Sequence, residues 1–255
     1  MNQSLRYYVD VVVVLAKKDF KLRYKNSVLG FIWSLLNPLA NMLILTLVFA
    51  FLLRSTVPNY ASFLLIGLLV WRFFQLSTSQ SLTSIVANPS LVTKVYMPRY
   101  LIVLSNNLAN LLAASIEIVA LIPLLVILGV NLTIYALFLP LIILMEFGLI
   151  FGLSLSLSAL NLLYRDLHEV WEIAIQLGFF VSPIIYDPRL IPARFQFAYS
   201  LNPVTRIIDS ARDIFLYAQL PTTSDMQVIL GSIVVFLAIG FLIFSSLERR
   251  FSEEL

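Results

Sequence analysis

Cysteine is absent from the 255-residue chain, which excludes disulfides and thiolate metal sites and leaves the redox compartment open. Histidine occurs once, at His168, so no multi-imidazole metal site can form. None of the eight glycines is followed by lysine, so the chain has no G-x-x-x-x-G-K-[ST] loop to cradle nucleotide phosphates. Charge is scarce: 12% of residues, against roughly 25% in soluble domains. The formal net charge of +3 is too small to point to a nucleic-acid partner. No small-residue cleavage site follows an early apolar run, and no cleavable leader is expected.

What is present is apolar surface, with 60% hydrophobic residues. A soluble domain of this length has no interior large enough to hide it, so the bilayer must be the solvent. The fold expected is an all-α integral membrane protein, one transmembrane domain over 1–255. A spanning helix needs about 20 apolar residues. Six such segments can be drawn, at 31–53, 61–85, 101–129, 134–160, 169–185 and 226–247. An even number puts both termini on one side, and the positive-inside rule makes that side cytoplasmic. Most lysines and arginines, from Arg6 to Lys25 and at Lys94, Arg99, Arg165, Arg249 and Arg250, then lie inside. Arg54 alone falls in a short outer loop, and Arg189, Arg194, Arg206 and Arg212 fall in the long segment after the fifth span.

Four regions lie outside the spans. Residues 1–29 form an amphipathic interface helix: Val9, Val12, Val13, Ala16 and Phe20 share one face, and Lys17, Lys18, Lys21 and Lys25 form a stripe opposite. Such a helix rests in the headgroup layer, whether as a simple topology anchor or as more. The loop 87–99 is framed by Asn88-Pro89 and Met97-Pro98-Arg99, which delimit one short helix with Leu91, Val92 and Lys94 between them. The turn Asn161 to Glu169 carries His168, which reads as a solvated polar residue. Within 182–224, Ser182-Pro183 and Asp187-Pro188 break the chain, and a helical period follows with Asp209, Arg212 and Asp213 facing out. A broken stretch at membrane depth is tolerated only against protein or a water-filled cavity, so 186–224 is expected to shape an outer gate.

Arg72, Glu117 and Glu146 fall at hydrocarbon depth, where each charge costs a few kcal/mol and seeks a partner. Arg72 is expected to pair with Glu117 or Glu146. A structural ion pair is favoured over a proton relay or a substrate contact, because no ordered series of acids accompanies it. Trp33, Trp71, Phe73, Phe74, Phe179, Phe180 and Tyr186 cluster near span ends. They serve either as interface belts or as faces on which sugar rings stack.

The run Arg23 to Leu39, RYKNSVLGFIWSLLNPL, resembles the entry signature of the membrane subunits of type-2 ABC exporters that move polysaccharides. Trp71-Arg72-Phe73-Phe74, Asn88-Pro89 and Lys94-Val95-Tyr96-Met97-Pro98-Arg99 sit where that family has its second span and coupling loop. Ser182-Pro183-Ile184-Ile185-Tyr186 and Leu201-Asn202-Pro203-Val204-Thr205 resemble its outer signatures. Singly each is weak, but in order they cover nearly the whole chain, and the Wzm-type O-antigen exporters are the nearest in pattern.

The resemblance implies a homodimer in the bacterial inner membrane with a channel between its subunits. It also implies two copies of a separate ATPase that hold ATP and magnesium, no cofactor on this chain, and a lipid-linked polysaccharide as cargo. Asn88, Pro89, Leu91, Val92, Lys94, Met97, Pro98 and Arg99 would then contact the ATPase, and replacing Lys94 and Met97 would weaken that docking without unfolding the chain. Teichoic-acid, capsule, drug and lipid exporters remain alternatives within the family. An intramembrane glycosyl or phospholipid transferase needs a second acidic cluster beside Asp166, Glu169 and Glu172, and a secondary transporter needs paired interrupted halves; neither is found.

Overall fold

The computed structural model describes residues 3–25, 30, 32–52 and 57–251, and every regular element among them is helical. Phe31, Arg54 and part of the Arg23–Leu39 motif lie outside the described residues.

Helix α1 (Gln3–Tyr24) is followed by α2 (Ile32–Thr46), which continues as a π-helical stretch, Leu47–Leu52. α3 (Tyr60–Thr83), the short α4 (Pro89–Lys94) and α5 (Tyr100–Ile127) come next. A turn at Gly129 then reverses the chain, using a φ of 91° that disfavours any residue with a Cβ. A 3-10 turn leads into α6 (Leu139–Leu163), and α7 (Leu167–Val181) follows. α8 (Ala193–Leu201), α9 (Pro203–Phe215) and α10 (Thr223–Leu247) complete the order.

Five helical stretches are long and apolar enough to cross a bilayer: Ile32–Leu52, Tyr60–Thr83, Tyr100–Ile127, Ile134–Leu163 and Thr223–Arg250. α7 has 15 residues, or about 22 Å at ~1.5 Å each, and falls short of the ~30 Å hydrocarbon layer by itself. The stretches differ sharply in burial. α3 hides 78% of its apolar window inside the subunit, whereas α2 hides 11% and α10 hides 17%. α3 is therefore the axle of the bundle, and α2 and α10 present their apolar surfaces outward.

Close packing of α6 on α10 depends on small residues. Gly148 and Gly152, spaced as G-x-x-x-G, face Ile233 and the Phe236–Leu237 backbone. A Cβ on Gly152 would lie 2.7 Å from the Leu237 nitrogen, and one on Gly240 would meet the Gly152 carbonyl oxygen. The core divides in two. The larger cluster surrounds Phe63–Phe74 of α3 with parts of α5, α6 and α9. The smaller joins Val12 of α1, Val92 and Met97, the start of α5, Leu155 and Ala159 of α6, and Phe244 and Phe251. α1 and the last turn of α10 therefore meet at one end of the bundle, and α8 and α9 lie at the other.

Candidate functional site

At the α1 end, Pro89 occupies the first turn of α4, where its missing N–H costs nothing. The Asn88 amide donates to the Ser84 carbonyl at 2.9 Å, and Lys18 donates to the Asn88 side-chain oxygen at 3.1 Å. α1 is thereby tied directly to the loop. On the far side, the Arg99 backbone N–H donates to the Glu248 carboxylate at 3.2 Å, and its guanidinium donates to the Glu248 carbonyl at 2.8 Å. Lys94, Val95 and Tyr96 stand out from this frame, with Tyr96 96% exposed.

Two sequence expectations need correction here. Met97 is buried with Val92 in the smaller core cluster, because the chain between Val95 and Pro98 turns its side chain inward. It supports the loop rather than forming its surface. On α1, the packed face is Val12 and Ala16 with Tyr8, Val11 and Leu15 beside them, while Val9 and Val13 are exposed. The helix docks on α5 with a narrower face than its apolar stripe. Lys17, Lys18, Lys21 and Lys25 are exposed.

Within the bundle, Arg72 Nε lies 2.9 Å from Glu117 Oε1, close as an ion pair but poorly aligned as a hydrogen bond. Glu146 is fully enclosed, and its Oε1 has no hydrogen-bond partner among the described residues. Beside them runs a polar seam that the sequence reading did not single out. Ser81 donates to Asn107 at 2.8 Å and is 3.0 Å from the Asn106 oxygen, and Ser154 of α6 donates to Asn107 at 3.3 Å. The available signal was the repeat of Ser and Asn through Ser77, Ser81, Asn106, Asn107 and Asn110 inside otherwise apolar spans.

The aromatic residues separate into two groups. Trp71, Phe73 and Phe74 are buried, not displayed at the span ends; Trp71 and Phe74 fill the α3–α7 contact. The Trp71 ring lies 6.0 Å from Phe179 edge-on, and a Cβ on Gly178 would come within 2.9 Å of it. Trp171 donates to the Thr78 hydroxyl at 3.2 Å across the same contact. Trp33 and Phe180 are exposed, and the Tyr186 hydroxyl caps α7 by donating to the Val181 carbonyl at 2.8 Å. A cleft of about 410 Å³ between α3 and α7 is lined by Trp71, Gln75, Glu169, Glu172, Gln176 and Phe180. Glu169, Glu172 and Gln176 are all exposed on one flank of α7. That flank is too polar for acyl chains.

At the other end, α9 reverses a sequence expectation. Arg212 does not face out; at 2% exposure it is the largest fully buried side chain among the described residues. The break at Ser182-Pro183 leaves carbonyls without helical partners, and the guanidinium supplies donors to Pro183 at 2.7 Å, Ile184 at 3.0 Å and Phe63 at 3.2 Å. Its carbon sits 3.4 Å from the centre of the Phe63 ring. Burial lowers the Arg212 pKa to about 10, with Asp209 nearby opposing the shift. Burial likewise raises Asp209 to about 6, although Arg212 and Arg206 pull the other way.

Around this pin, Arg206 bonds Asp225 of α10 at 3.0 Å, and Tyr199 of α8 donates to Asp209 at 3.2 Å. Asn202 caps α9 by accepting from the Val204 N–H at 3.0 Å, the role an Asn before Pro203 is suited to. Asp213 is half-buried and bonded by Gln219 at 2.8 Å.

Among the described residues no group of three His, Cys, Asp or Glu side chains is placed to hold a metal ion. His168 is half-buried in the first turn of α7. The geometry is that of a multi-pass helical membrane protein with a knob-bearing loop at one end and a pinned helical cap at the other.

Residues 10–216 match the ABC-2 type transporter family, and the chain belongs to it. It is 34% identical to an O-antigen export system permease protein RfbA of Klebsiella pneumoniae over 254 residues, covering 99% of this chain and 98% of that protein. The RfbA of Myxococcus xanthus is 29% identical over 260 residues, with 99% and 98% covered. The polysialic acid transport protein KpsM of Escherichia coli is 23% identical over 243 residues, 93% of each chain.

Proposed function

We infer that this chain is the conducting membrane subunit of an ATP-driven exporter of lipid-linked, O-antigen-like polysaccharide across the bacterial inner membrane. End-to-end similarity to the O-antigen permeases, at 34% identity with no large gap in coverage, carries the reading. In this reading α7, extended by Ser182–Ile185, supplies a sixth crossing, and both termini are cytoplasmic. Two copies pair so that the Glu169–Glu172–Gln176 flank and Gln75 face a shared aqueous path instead of lipid. Phe179, Phe180 and Trp33 add apolar faces on which sugar rings can stack as they pass.

The chain is not itself an enzyme. Two copies of a separate ATPase bind ATP and magnesium and press on the α4 loop, where Lys94, Val95 and Tyr96 form the contact. Movement of the loop passes to α1 through Lys18–Asn88 and to α10 through Arg99–Glu248, the two bonds that frame it. Because the protein has no cysteine, Glu172→Cys is a single reporter for pairing through α7. The test is purification of the tagged chain in mild detergent, followed by oxidative cross-linking of that variant. A stoichiometric P-loop ATPase and a cross-linked homodimer are expected. A chain that emerges alone and monomeric, from cells expressing the candidate ATPase, sinks the reading.

A further inference from the structure

A cleft of about 570 Å³ opens at the α1 end between α1, the close of α3 and the first half of α5. Its walls carry Lys18, Arg23, Gln80, Asn88, Asn106 and Asn110. Asp19 is the one acid on its lining and sits 3.5 Å from Lys18, so the cavity retains a positive balance. Arg23 and Asn110 also line a narrow slot that leads inward to the Arg72–Glu117 pair. Asn110 is ten residues from the start of α5, so the polar lining reaches about 15 Å into the bundle. That is the depth of a headgroup and the first part of its chains, beside a basic amphipathic helix suited to the membrane surface.

Two cations with several amides, converging from three helices at that depth, fit one ligand chemistry. We propose that this cleft binds the phosphate of a lipid headgroup, with Lys18 and Arg23 as its charge partners and Asn106 and Asn110 as neutral hydrogen-bonding partners. Charge-assisted bonds to phosphate are short and strong, and amides serve the ester and hydroxyl oxygens around it. A pure acyl site would not spend four amides, and a soluble anion site would not need Leu22 and Ala109 on its rim. The lipid is either a membrane phospholipid or a phosphate-linked isoprenoid carrier, and both present the same group. The proposal does not depend on the transport reading, since binding is measured directly.

The test uses the full chain in neutral detergent, titrated with short-chain phosphatidylglycerol, phosphatidylcholine, a polyisoprenyl diphosphate and inorganic phosphate, followed by native mass spectrometry. Phosphatidylglycerol or the polyisoprenyl diphosphate is expected to bind, and phosphatidylcholine to bind at least about tenfold more weakly. Whichever anionic lipid binds more tightly identifies the source, and competition by inorganic phosphate alone would assign the site to the free anion. Lys18→Gln with Arg23→Gln should weaken binding roughly tenfold. Asn110→Ala should weaken it about threefold, and it guards against a fold defect because Asn110 donates only one long bond, 3.3 Å to Asn106. Lys17→Gln with Lys21→Gln removes two exposed charges that do not line the cleft and should leave binding within about twofold. Equal binding by the Lys18/Arg23 variant, or an equal loss in the Lys17/Lys21 control, overturns the proposal.

Discussion

At the α9 end of the bundle, charged groups are enclosed and matched, while at the α1 end they are exposed and loosely tied. Arg212 is 2% exposed and holds carbonyls from α3 and from the break after α7; Lys18 and Lys94 are exposed, and among the described residues Lys18 meets Asn88 and Asp19 while Lys94 has no polar side-chain partner. The two arrangements suit different mechanical roles. A cation buried against carbonyls and an aromatic face is hard to release, because every donor would have to find a new partner in a dry site. An exposed lysine contributes little to stability and is free to exchange one partner for another. The α9 end holds together as long as α3 and α9 stay in contact through Arg212. The α1 end leaves its cations open to a new partner.

The largest expected effect comes from breaking the enclosed end. Arg212→Met should cost about 3–5 kcal/mol, since it leaves the Pro183 and Ile184 carbonyls buried without donors. Thermal unfolding in detergent, followed by tryptophan fluorescence, reads this directly. A melting temperature within a degree or two of the parent would mean that water or the backbone replaces the guanidinium, and the pin would not exist.

Met97→Ala comes next, at about 2–3 kcal/mol, because it leaves a cavity between Val92, Leu101 and α1. Gly67→Ala should cost about 1–2 kcal/mol, as its new Cβ would sit 2.8 Å from an Arg212 nitrogen and press on the pin. If Gly67→Ala proved as harmless as an exposed substitution, Arg212 would have slack that the enclosed end is argued not to have.

A smaller effect follows from Asp209. Its folded-state pKa, about 6, lies above the ordinary aspartate value, so the folded protein holds the proton more tightly than the unfolded chain. Stability therefore falls as pH rises from about 4 through 6, and the α9 end should be firmer at pH 5 than at pH 7.5 by roughly 1–2 kcal/mol. The groups that face it, Arg206, Arg212, Tyr199 and Asp225, set the size of the shift but not its sign. Asp209→Asn should flatten this part of the profile, and an unchanged slope would place the titration elsewhere.

Much of the fold was legible because membrane spans announce themselves locally. An uncharged run such as Met226–Leu247 and a turn such as Gly129–Thr133 need no distant partner to be read, and α10 and the turn lie there. The Arg72 partner was narrowed to two acids, and only the packing of α3 on α5 selects Glu117. α9 was misread for a physical reason. A helix with Asp209, Arg212 and Asp213 looks amphipathic with its charges in water, and that inference holds only when nothing buried can satisfy them. Here the satisfying groups are backbone carbonyls freed by Ser182-Pro183, about thirty residues away in sequence, and a helical wheel carries no record of them. Met97 was misjudged similarly, because a two-residue turn decides which of Tyr96 and Met97 points in.

That neighbouring pair gives the smallest effect on stability and the sharpest contrast between the two ends. Tyr96 is 96% exposed and has no side-chain hydrogen bond among the described residues, so Tyr96→Ala should change the melting temperature of the isolated chain by no more than about 0.5 kcal/mol equivalent. A bare aromatic ring held out on a loop anchored by two flanking bonds is nonetheless what an interface hot spot requires, since it fills a partner's pocket at low entropic cost. Recovery of the ATPase with the purified chain should therefore drop severalfold in Tyr96→Ala. In Met97→Ala it should drop only as far as the folded fraction does. If Met97→Ala lost the ATPase at full folded yield while Tyr96→Ala kept it, the loop would have to turn over in the assembly, and the α1 end would be the more mobile of the two for a reason other than exposure.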